Sequence, residues 1–80
     1  MNTLTEPSQP ATAIRAQVRE ADQTLRRIIA RAAHMEKRAE RAEADSAERL
    51  RLEARARELR AAAAALVAEI SDLCRQVIAA

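Results

Sequence analysis

Apolar residues recur at alternating steps of four and three along two stretches of this chain, and between them the rhythm fails for about one helical turn. The first stretch runs through Ile14, Val18, Ala21, Leu25, Ile28, Ala32, Met35, Ala39 and Ala42. The second runs through Leu52, Ala56, Leu59, Ala63, Leu66, Ile70, Leu73, Val77 and Ala80. Such steps hold an apolar stripe on one side of a helix, the seam of a heptad repeat, so each stretch predicts a long amphipathic helix. Continued through the gap, the same columns would put Asp45 or Ser46, and then Arg49, into a core. The stripe therefore ends, and either the chain reverses there or one long helix carries a discontinuity.

The sizes of the seam residues favour reversal. Folding back between Asp45 and Ser46 sets Ile14 against Val77, Leu25 against Leu66, Ile28 against Ala63, Ala32 against Leu59, Met35 against Ala56 and Ala39 against Leu52. Small residues then meet large ones, which fills layers without voids. In a parallel dimer of one continuous helix, Ala32, Ala39, Ala56 and Ala63 would each face their own copy and leave thin layers. The expected fold is an all-α antiparallel two-helix hairpin, coiled-coil-like, closing into a dimeric four-helix bundle; the alternative is one long helix in a parallel coiled coil. The boundaries read as a flexible N-terminal arm over 1–10 and a helical hairpin over 11–80, with a first helix at about 11–43, a turn at about 44–47 and a second helix at about 47–79. Ser8 or Thr12 is the expected cap of the first helix. Asp45, three residues before Glu48, is the expected cap of the second.

Composition agrees. The 80 residues include no Gly, no aromatic residue and two Pro, both in the first ten positions. Ala, Leu, Arg and Glu, the strong helix formers, dominate. Nothing alternates over the length of a strand. A domain of this size has a modest core and usually needs a further staple, so self-association is expected.

The same inventory argues against chemistry at a site. Without Gly there is no phosphate loop or dinucleotide fingerprint in the usual form. His34 falls on an outer column with Arg27 and Arg41, and Cys74 is the lone cysteine. Neither has a spacing that makes a metal site or a nucleophile and base pair. No catalytic, cofactor-binding or metal-binding residue is assigned, and the chain is expected not to be an enzyme. Met1 precedes a polar stretch without an apolar signal region, and no apolar run approaches the ~18 residues of a membrane span. Together with the unpaired cysteine this makes the cytoplasm the expected compartment.

Two surface features remain. Ile29, Val67 and Cys74 lie off the seams on one flanking column, which an antiparallel pair brings to the same edge; an apolar edge marks self-association or a partner groove. Along the first helix Arg26, Arg27, Arg31 and Arg38 are the densest part of a basic ridge, able to meet phosphate or an acidic partner. The net charge is +2, with residues 11–44 carrying +3 and 45–80 none. Acidic residues interrupt the ridge, and no aromatic side chain is present to stack on a base.

In its alternation of small and large seam residues the chain resembles the Rop-like RNA-binding dimers, although the aromatic those use on RNA has no counterpart here. It also resembles the small hairpin co-chaperones of type III secretion, which bind a helical-repeat partner through an apolar helix face. Both likenesses are at the level of fold. The expected function is a non-enzymatic protein–protein interaction module of bacterial or phage type: an adaptor, co-chaperone, inhibitor or assembly factor that forms a homodimer and presents a helix face to a protein partner. The alternative is a Rop-like nucleic-acid-binding regulator using the arginine ridge.

Overall fold

A computed structural model describes residues 10–79 and consists of two helices packed against each other. Helix α1 spans Ala11–Arg41 and α2 spans Ala47–Ala79. The chain reverses between them, so the alternative of one long helix does not hold. The arm over residues 1–9, Ser8 as a cap, and the seam position of Ala80 lie outside the described residues.

Pro10 is extended, at φ −63° and ψ 148°, and takes the N-cap position of α1 without a side-chain hydrogen bond. Its carbonyl accepts the N–H groups of Ala13 at 2.9 Å and Ile14 at 3.2 Å. The first-turn N–H groups have no partner within a helix, so a residue lacking its own N–H is tolerated there. Thr12 is inside α1 and is not its cap.

The turn explains how a chain without glycine reverses. Ala42, at ψ 156°, leaves the helical region and ends α1, two residues before the end expected from the seam. Its N–H still reaches the carbonyls of Arg38 and Ala39, each at 3.2 Å. Glu43 O then accepts the Ser46 N–H at 3.1 Å, closing a four-residue turn. Within that turn Asp45 has φ 64°, in the left-handed region. Asp tolerates this conformation better than most residues because its short polar side chain can bond locally. The capping role expected of Asp45 falls one residue later. The Ser46 hydroxyl oxygen accepts the Arg49 N–H at 3.1 Å, and the Ser46 carbonyl accepts the Leu50 N–H at 3.1 Å. With Ser46 as cap the third helical residue is Arg49, so the reciprocal arrangement expected from Glu48 does not form. Glu48 instead sits in the first turn of α2, and Arg38 and Arg41 in the last turn of α1. Both placements suit the helix dipole.

Every described seam residue is buried or half-buried, but burial is uneven. Ala32, Ala39, Leu52, Ala56, Leu59 and Ala63 form a buried cluster in the half near the turn, and Ile14 is buried towards the open end. Between them Val18, Leu25, Ile28, Leu66, Ile70, Leu73 and Val77 are only half-buried. Among the described residues no large side chain is fully enclosed. One pair of helices supplies one sandwich of side chains: alanines disappear inside it, and larger residues overhang its edges. Arg49, which the columns place on the seam, extends out and donates from Nε to Glu53 at 3.2 Å. Its side chain is about one-third exposed, and the charge is paired on the surface with Glu53.

Candidate functional site

The two edges of the hairpin are identified by the ion pairs that cross between helices. On one edge Arg60 of α2 donates to Glu36 of α1, Nε to Oε2 at 3.0 Å and Nη2 to Oε1 at 2.7 Å. On the other, Arg38 approaches Glu48 at 4.0 Å. Positions seven apart on a helix are stacked two turns apart on the same side. One heptad from Glu36 towards the open end is Ile29, and one heptad from Arg60 in the same direction is Val67. Ile29 is 40% exposed and Val67 49% exposed. Cys74, a further heptad along α2, is also exposed. The structure thus places all three residues of the expected apolar edge on the Glu36–Arg60 side.

Sequence reasoning missed the continuation of this edge. Ile78 is 85% exposed and, with Cys74, Val18 and Val77, lines an open groove at the end away from the turn, bordered by Arg15 and Arg19. Ile78 belongs to the column beside that of Val67 and Cys74, so the signal was present once two adjacent columns are read together. Leu50, 57% exposed, lies near the turn on the same column as Ile78. The groove is lined mainly by apolar side chains, and its titratable members are the two arginines and the thiol.

The Glu36–Arg60 pair carries the perturbed titrations. The two hydrogen bonds from Arg60 hold the Glu36 carboxyl below the ordinary glutamate range, against a smaller opposing effect of burial. The carboxylate in turn raises Arg60. Both side chains are about half exposed, so the pair fixes geometry more than it adds stability. The pair leaves the α1 face towards the turn ionic and separates it from the apolar stretch.

The arginine ridge is more broken than its sequence suggests. Arg26 donates to Asp22 at 2.9 Å, and Arg38 is the partner of Glu48. Arg27 and Arg31 are exposed and have no ion pair among the described residues. At about 100° per residue, Arg26 and Arg31 point roughly 140° apart around α1. Arg27, Arg31 and Arg38 fall within about 40° of one another and share one strip of α1, from which Arg26 alone departs. Other surface pairs also differ from simple spacing. Asp72 pairs with Arg75 as the spacing suggests. Glu53, however, takes Arg49 in place of Arg57, and Glu48 takes Arg38 in place of Arg51. His34 is exposed on α1. Among the described residues no three His, Cys, Asp or Glu side chains are grouped to hold a metal ion, and no helix is long and apolar enough to cross a membrane.

No family model matches this chain, and no curated protein or solved structure shows significant similarity to it.

Proposed function

We propose that this chain is a non-enzymatic protein-interaction module that self-associates and presents a helix face to a protein partner, as an adaptor, co-chaperone, inhibitor or assembly factor does. The observation that supports the reading is the row of exposed apolar residues Ile29, Val67, Cys74 and Ile78 along one edge, broken on α1 by Asp22 and flanked by seam residues that the hairpin leaves half-covered. Covering such an edge removes apolar surface from water, worth about 25 cal/mol per Å² before the costs of association. A partner helix is the natural cover, because a helix can lie lengthwise along the edge.

The nucleic-acid reading draws less support. Two of the four ridge arginines already face carboxylates, and Arg26 points away from the strip that Arg27, Arg31 and Arg38 share. A phosphate backbone would have to displace Asp22 and Glu48 before using Arg26 and Arg38.

The test is association. Light scattering at micromolar concentration should give more than the mass of one chain. Replacing Ile29 and Val67 together by Glu should shift the mass to that of a monomer while helicity falls less, since both residues lie off the seam. An unchanged mass in the double variant would remove this edge from the function.

A further inference from the structure

We infer that the groove at the open end of the hairpin seats an amphipathic helix of a protein partner, with acidic side chains of that helix on Arg15 and Arg19 and its apolar stripe on Val18, Val77 and Ile78. This rests on the protein-interaction reading above and adds where the partner docks and what chemistry it carries.

The concave stretches between the helices differ in charge. Near the turn, on the same edge, the hollow beside Ala56 is lined by Glu36, Glu53, Arg57 and Arg60, two charges of each sign. On the opposite edge the hollow beside Leu66 and Leu73 holds Glu20 and Glu69 and no cation. The groove at the open end is the reverse: Arg15 and Arg19 line it together with Val18, Cys74, Val77 and Ile78, and no carboxylate does. Both arginines are exposed, and neither is in an ion pair among the described residues. Asp22, three residues after Arg19, is held by Arg26 at 2.9 Å, and Arg75 on α2 is paired with Asp72. Arg15 and Arg19 stand four residues apart on α1, a rise of about 6 Å. Two carboxylates one turn apart on a facing helix match that spacing, and each can accept from one guanidinium.

The shape selects a helix as the occupant. The groove has a volume of about 410 Å³ and is open along its length. An enclosed pocket covers most of a small molecule, whereas this groove would leave one side of it in water. A helix needs only one face covered, and it fits lengthwise in the furrow between two packed helices. Sign adds to shape. A basic flank on the partner would meet both arginines with no carboxylate in the groove to relieve the repulsion, so the groove discriminates against it. Ile29 and Val67 lie outside the groove lining, which makes the groove and the edge proposed for self-association separate targets for mutation.

Peptide binding to the full chain tests this. The probe is a synthetic helix of about 18 residues, five turns, with a leucine stripe and two Glu four residues apart on its flank. Its twin carries Lys in place of both Glu. The Glu peptide should bind and should slow the reaction of Cys74, the sole cysteine, with a thiol reagent, since that side chain lines the groove. The Lys twin should bind about tenfold more weakly. Arg15→Glu with Arg19→Glu should reverse the preference, a result that a misfolded chain cannot give. Ile78→Ser should weaken the Glu peptide while helicity is kept, because Ile78 lies off the seam and is exposed. Equal binding of the two peptides, no protection of Cys74, or a preference unchanged in the arginine variant overturns the inference. Protection of Cys74 that grows with chain concentration in the absence of peptide makes a second copy the occupant and overturns it as well. Light scattering on the same samples reads self-association separately: a chain that associates through Ile29 and Val67 without selecting the acidic peptide loses only this inference.

Discussion

Arg60 holds Glu36 across the helix pair with two hydrogen bonds, at 3.0 and 2.7 Å, which join the middle of α2 to the last third of α1. Two contacts from one guanidinium plane to one carboxylate define direction as well as distance. They set the register of the hairpin beside the buried Ala32, Ala56 and Leu59, and they separate the ionic turn end of the edge from the apolar stretch at Ile29 and Val67.

The pair makes a pH prediction whose sign follows from the carboxylate. Glu36 is held below the ordinary value of about 4.3 that it regains on unfolding, so the unfolded chain binds its proton more readily. The contribution is present in full above that value and is lost as pH falls through the lower folded one. Thermal unfolding followed from pH 7 to 2 should show the chain losing stability in acid more steeply than Glu36→Gln does. Parallel acid profiles for the two proteins would contradict this.

Leu59 is the large seam residue set opposite Ala32 by the expected layering, and both are buried. Leu59→Ala should therefore lower unfolding free energy by about 2–4 kcal/mol in urea titrations. Val67→Ala, on the exposed edge, should cost the isolated hairpin well under half as much. Equal losses would mean that the core is not where the burial places it.

The turn separates two roles that the sequence merged. Ser46→Ala should destabilise by about 1 kcal/mol through loss of the Arg49 N–H acceptor. Asp45→Gly should be neutral or stabilising, because glycine adopts positive φ without a Cβ clash, whereas Asp45→Ala should be the less stable of the two by about 1 kcal/mol. If Asp45→Gly proves as damaging as Ser46→Ala, the left-handed assignment fails.

Changing Arg26, Arg27, Arg31 and Arg38 together to Gln should leave helicity largely intact, since none lies on the seam. The protein-interaction reading expects no submicromolar RNA or DNA complex at physiological salt, in either the original chain or the variant. Should such a complex exist, steepen with falling salt and disappear in the variant, the nucleic-acid reading would replace it.

The two helices, their seams and the place where the chain turns were legible in the sequence, because burial of one helical face imposes a repeat that needs no knowledge of the partner. Ile29, Val67 and Cys74 were legible for the same reason, as departures from that repeat. The cap was not. Asp45 and Ser46 are both good capping residues, and which one takes the role depends on the backbone path that leaves Asp45 at positive φ. Glu53 likewise has arginines four residues away on both sides, at positions 49 and 57, and spacing along one helix cannot choose between them.

What the sequence determined by itself is thus periodic and local: long helices from Ala, Leu, Arg and Glu, a stripe for each, and an interruption where Asp45, Ser46 and Arg49 would break it. What only the tertiary structure decided depends on two helices at once. It paired Glu36 with Arg60 and Arg38 with Glu48, and it buried the alanines near the turn while leaving larger seam residues half-covered. It also joined Ile78 to the apolar edge. Those outcomes depend on interhelix register and on how far each side chain reaches past its neighbour, and a one-dimensional repeat contains neither quantity.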